Sequence, residues 1–88
     1  MQFRQGDLLF CAEDRLPPAS QPHPGPILAG GQGSDHLHLL DGPGNLYLSG
    51  NFLYVATEQP TWVWHPEHAR LALPAGTFRV IRQRQYEP

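Results

Sequence analysis

Four of the five histidines of this 88-residue chain stand in two short pairs, His36-Leu37-His38 and His65-Pro66-Glu67-His68. In a β-strand successive side chains point to opposite faces, so His36 and His38, two apart, aim both imidazoles the same way. Pro66 lacks a backbone N–H and fixes φ, so the chain after Val63-Trp64-His65 leaves its strand and curls, which brings His68 back toward His65. Neutral imidazole nitrogen is a good ligand for zinc, nickel, copper or iron(II), with Zn–N bonds of roughly 2.0–2.1 Å. If the two pairs converge, His36, His38, His65 and His68 form a metal site. Asp35, Asp41 and Glu67 then stand by as carboxylate ligands or as acceptors that fix the ring tautomers. Without a metal the same rings would serve an anionic ligand or a proton relay, and the bland alternative is that they cap turns near a sheet end. His23, in a proline-rich stretch with no partner near it in sequence, is expected to be exposed.

Two kinds of function compete for such a cluster. Four histidines on one ion close a tetrahedral site, which is structural; a metal-dependent enzyme would need one of them to stand aside for water, with Glu67 as the candidate base. No Ser/His/Asp or Cys/His arrangement is recognisable, and Gly30-Gly31-Gln32-Gly33 lacks the strand-to-helix context of a phosphate loop. The favoured reading is a binding or structural module that self-assembles, presenting Tyr47, Tyr54, Trp62, Trp64 and Tyr86, although in so small a chain aromatics such as Trp64 and Phe78 are core by default.

The elements that must position these residues are short strands. Nine glycines and ten prolines, spread along almost the whole length, leave no window of clean helical periodicity. Strands are expected at Leu8 to Cys11, Ile27 to Ala29, His36 to Leu40, Thr61 to His65, Leu71 to Leu73 and Thr77 to about Gln83. Leu46 to Leu48 and Phe52 to Val55 flank Ser49-Gly50-Asn51, the clearest hairpin. Leu16 to Pro26 holds five prolines and reads as a loop that pairs with little. The one helical candidate is a single turn around Pro66 to Arg70. Seven to eight short strands spaced by turns predict an all-β fold, a small barrel or sandwich, as one domain over residues 1–88.

Composition narrows the partners. There is no lysine; six arginines oppose eight acids for a net charge of −2, which disfavours nucleic-acid binding through phosphate neutralisation. Arg79, Arg82 and Arg84 crowd the C-terminus, as a solvated strand face or as a holder of acidic groups on a partner. No apolar run approaches the roughly 20 residues needed to cross a bilayer. The single Cys11 forms no intramolecular disulfide and is expected in the core, and without a charged-then-apolar leader the default location is cytoplasmic. A chain of this size builds a small core, so help from a metal or a homo-oligomer is expected, with the C-terminal strand as the pairing edge.

Gly6-Asp7, Gly31-Gln32-Gly33-Ser34-Asp35-His36-Leu37-His38, His65-Pro66-Glu67-His68, Leu73-Pro74-Ala75-Gly76 and Gln83-Arg84-Gln85-Tyr86 together resemble the signatures of a group of small uncharacterised bacterial and phage-associated proteins. Those proteins carry a Gly-His-x-His loop, a His-x-Glu-His turn and a Gln-Arg-x-Tyr ending. Gln32 and Gln85 stand where that pattern has glutamate, and Asp35 where it has glycine; the resemblance implies no activity. A weaker similarity is to cupins: Gly30, five residues, then His36-x-His38 is similar to the first cupin motif, whose histidines are metal ligands on a strand. That similarity implies a divalent transition metal such as zinc, nickel or iron and, as the alternative function, a metal-dependent enzyme of unknown substrate. The glutamate of that motif is missing, with Asp41 the nearest substitute.

Overall fold

The computed structural model describes residues 1–30 and 37–83. Ten strands are present: β1 (Gln2–Gln5), β2 (Leu8–Glu13), β3 (Gln21–His23), β4 (Ile27–Gly30), β5 (Leu37–Leu40), β6 (Asn45–Ser49), β7 (Phe52–Thr57), β8 (Thr61–Trp64), β9 (Leu71–Leu73) and β10 (Gly76–Arg82). They form a six-stranded sheet in the order β1-β2-β10-β7-β6-β3 and a four-stranded sheet in the order β4-β5-β8-β9. Every pairing is antiparallel.

Period-two alternation places the core. In β2, Leu8 and Phe10 are buried, and in β8 Thr61 and Val63 are buried while Trp62 and Trp64 face out. Leu8, Phe10, Leu46, Val55, Phe78 and Val80 of the larger sheet meet Leu28, Val63 and Leu73 of the smaller one in a single apolar cluster. Each such side chain, fully buried, contributes roughly 1.5–3 kcal/mol. The sheets are also joined by a polar bolt at one end: the Gln5 side-chain amide donates to the carbonyls of Val63 and Ala69, both at 2.9 Å.

Two hairpins of the larger sheet share one turn chemistry. Gly6-Asp7 joins β1 to β2 between the paired Gln5 and Leu8, and Gly50-Asn51 joins β6 to β7 between Ser49 and Phe52. The first turn residue is glycine at φ +59 and +61 respectively, the left-handed start that a two-residue hairpin loop with glycine first requires.

The all-β expectation holds, with differences in detail. Among the described residues the two sheets do not close into a barrel, because β1 and β3 flank one sheet and β4 and β9 the other. Two strands exceed the expected set: β1, ahead of the Gly6-Asp7 turn, and β3, inside the proline stretch. Pro22 is tolerated there because β3 is an edge strand and pairs only with β6. The segment after Pro66 is a bend rather than a helical turn. The C-terminal strand β10 offers no open edge, since it is hydrogen-bonded to β2 on one side and β7 on the other. Cys11 and Trp64 are not core. Both sit one residue from an inward-facing neighbour, Phe10 and Val63, so alternation turns Cys11 to a half-buried place on the outer face and leaves Trp64 38% exposed. Phe78 is buried. His23 is half-buried in β3. No helix among the described residues is long and apolar enough to cross a membrane.

Candidate functional site

Three of the four paired histidines come together at the end of the core where the Gln5 bolt lies. His38 sits on the inward face of β5, level with the buried side of β8, and is 1% exposed. His65 continues the inward alternation of Thr61 and Val63 one residue beyond β8 and is 5% exposed. The bend that starts at Pro66 then returns His68, which is exposed, over His65. The rings pack in a short tilted row, with centroids 4.4 Å apart and planes at 47° for His38 and His65, and 4.3 Å and 40° for His65 and His68. His36, Asp35 and the glycine loop before them lie outside the described residues, as do Arg84 and Tyr86.

Each imidazole has identifiable partners. His38 Nδ1 is 2.9 Å from Gln5 Oε1, and His38 Nε2 is 3.2 Å from Asp7 Oδ1. His65 Nδ1 accepts the backbone N–H of Glu67 at 3.0 Å, so Pro66 and the bend build a local clamp on that ring. Burial holds His38 below the ordinary histidine pKa of 6.5, and the neighbouring His65 acts in the same direction; the hydrogen bond and charge of Asp7 oppose both.

Asp7 is the acid of this site, and it belongs to the Gly6-Asp7 turn. Arg82 Nε lies 3.2 Å from its Oδ2, and its backbone carbonyl accepts the N–H of Gln83 at 2.8 Å, so the end of β10 holds the turn in place. Gly6 leaves the room that His68 occupies: a Cβ there would stand 2.7 Å from His68 Nε2 and 3.5 Å from His38 Cε1. The carboxylates suggested by sequence proximity behave differently. Asp41 pairs with Arg70 at 3.4 Å, and Arg70 also lies over the Trp62 ring at 4.6 Å. Glu67 contributes its backbone N–H to His65. Arg79 is 3.5 Å from Glu13, so the described part of the arginine cluster meets acids of its own chain.

Gln5, Gly6, Asp7 and Arg82 went unread as site residues. A Gly-Asp step between two alternating runs is a hairpin signal, and reading it would have exposed β1 and placed Asp7 at a turn tip. Nothing local to the sequence says that this tip faces His38, 31 residues away. Among the described residues, no group of three or more His, Cys, Asp or Glu side chains is placed so that it could hold a metal ion.

Fold and site together define a small two-sheet antiparallel β domain with a buried imidazole row closed by a carboxylate on a hairpin turn. The family described as Domain of unknown function (DUF8820) matches residues 4–83, and the chain belongs to that family. No curated protein and no solved structure gives a significant match.

Proposed function

We propose that this protein is a small binding module whose buried histidine cluster holds a divalent transition metal ion: zinc, nickel or iron. The observation that carries the reading is the approach of His38 Nε2 to Asp7 Oδ1 at 3.2 Å beside a row of three imidazoles. Two donors at about 2.1 Å from one ion, subtending 90–109°, stand about 3.0–3.4 Å apart, so this spacing suits a shared ion. Burying polar rings in a core this small is costly unless their nitrogens are satisfied, and a metal satisfies several at once. His38 and Asp7 lead the donor set; the exposed His68 is the next donor and His36 completes the candidates, while His65, whose Nδ1 accepts the Glu67 N–H, packs between His38 and His68. Elemental analysis of protein purified without a chelating tag tests this. About one ion per chain, removed by chelator with a fall in melting temperature, is the expected result. Metal-free protein whose melting curve is unmoved by zinc, nickel or iron(II) refutes it.

A second feature supports self-association. Ile27, Leu37, Leu39, Trp62, Trp64 and Ala72 share the outer face of the four-stranded sheet through the pairings Ile27 with Leu39, Leu39 with Trp64 and Trp62 with Ala72. Trp62 is 41% exposed. The outer face of an antiparallel sheet is ordinarily polar, and one whose strand residues are apolar, with Arg70 over Trp62, fits a second copy of the same face. Light scattering at micromolar concentration is expected to give a dimer mass that Trp62→Ser with Trp64→Ser returns to monomer. A monomer mass for the unmodified chain removes this reading.

A further inference from the structure

We infer that Gln5 is the positioning residue of the site: it fixes the His38 proton on Nδ1 and so presents the Nε2 lone pair, beside the Asp7 carboxylate, to an incoming cation. The metal named above is the cation this inference expects, and to that extent it rests on that reading.

The argument is an inventory of donors and acceptors. A glutamine side chain has two N–H donors on nitrogen and acceptor capacity on oxygen. Both Gln5 donors are committed, because Nε2 lies 2.9 Å from the Val63 carbonyl and 2.9 Å from the Ala69 carbonyl. Turning the amide over would set its oxygen against two carbonyl oxygens, so the orientation is determined by those contacts. Oε1 is left facing His38 Nδ1 at 2.9 Å, and since Oε1 only accepts, Nδ1 must donate. The neutral ring therefore carries its one proton on Nδ1 and a lone pair on Nε2.

That lone pair faces Asp7 Oδ1 at 3.2 Å. Two acceptor atoms at this distance repel unless a positive species lies between them, either a second proton on the ring or a metal ion. The carboxylate is held in place, since its other oxygen meets Arg82 Nε. An acceptor for the proton on the far ring nitrogen is the usual outer support of a ligating imidazole, and the Gln5 amide oxygen takes that place here. His65 is set in the opposite sense. Its Nδ1 accepts the Glu67 N–H, so its neutral ring carries the proton on Nε2 and acts as a donor. Gln5 and the Glu67 N–H thus set the two neighbouring histidines apart, one with Nε2 open to a cation and one with Nε2 protonated.

Two-bond proton–nitrogen NMR of the full chain, labelled on histidine nitrogen and freed of metal, reads each tautomer directly. At a pH above 7 the expected spectrum has His38 protonated on Nδ1 and His65 on Nε2. Gln5→Leu is expected to move the His38 proton to Nε2, where it meets Asp7, and to weaken zinc binding roughly 10- to 100-fold. The unmodified protein decides the question even where the leucine variant fails to fold: a neutral His38 ring protonated on Nε2 alone overturns the assignment. The correct tautomers in a protein that binds no zinc would overturn the metal reading and leave the role of Gln5 standing.

Discussion

Replacing Gly6 by alanine separates backbone strain from loss of the site, because the fold supplies its own control. Gly6 and Gly50 each open a two-residue hairpin turn, at φ +59 and +61. An alanine at such an angle costs roughly 1–2 kcal/mol, partly offset by a stiffer unfolded chain, so about 1 kcal/mol is expected from the backbone in both variants. Nothing lies within 4 Å of a Cβ on Gly50, whereas a Cβ on Gly6 would stand 2.7 Å from His68 Nε2 and 2.9 Å from His68 Cδ2. The clash falls on the far end of an exposed side chain, so His68 swings out rather than the hairpin breaking. What is lost is its packing on His65, worth about 0.5–1.5 kcal/mol for an aromatic pair. Gly50→Ala is therefore expected to cost about 1 kcal/mol and Gly6→Ala about 1.5–2.5 kcal/mol in urea denaturation, with unchanged m-values. Zinc-induced stabilisation should survive in Gly50→Ala and fall in Gly6→Ala. Equal costs in the two variants, with zinc stabilisation kept in both, would refute the placement of His68 against the turn.

Further outcomes follow from the core and the site. Because burial lowers the His38 pKa, the unfolded chain binds more protons than the folded one between that lowered value and 6.5. Stability of the chelated protein should thus rise with pH through this window and be lost on acidification, a dependence that His38→Gln flattens in melting curves taken across it. Thr61 Oγ1 is buried with no hydrogen-bond partner among the described residues, so Thr61→Val should raise stability by about 1 kcal/mol, seen as a higher urea midpoint; a lower midpoint would mean that the hydroxyl is satisfied in solution. Leu73→Ala, which opens the core between the sheets, should cost about 2–5 kcal/mol in the same assay, and a loss below 1 kcal/mol would contradict its burial.

Local rules made much of this protein legible from its sequence. Glycine and proline spacing excluded long helices, alternation put Val63 and His65 on one face of a strand and Trp62 and Trp64 on the other, and Gly50-Asn51 marked its hairpin. Those features depend on residues a few positions apart, which is the range over which φ preferences and the two-residue side-chain period act. Even there, alternation was decisive where composition misled: Cys11 and Trp64 are apolar but face outward because Phe10 and Val63 face inward. What only the tertiary structure decided is which strands become neighbours. The pairing of β10 between β2 and β7 closes the edge that the C-terminal strand was expected to offer. The same assembly brings the Gly6-Asp7 turn to His38 and the Gln5 amide to the carbonyls of Val63 and Ala69, 58 and 64 residues away. Strand order is chosen by the burial of a shared core and the completion of hydrogen-bond ladders across the whole chain, so no short window of sequence encodes it. The spacing of the histidines pointed to a cluster, while the carboxylate and amide that meet it were assigned by the packing of two sheets.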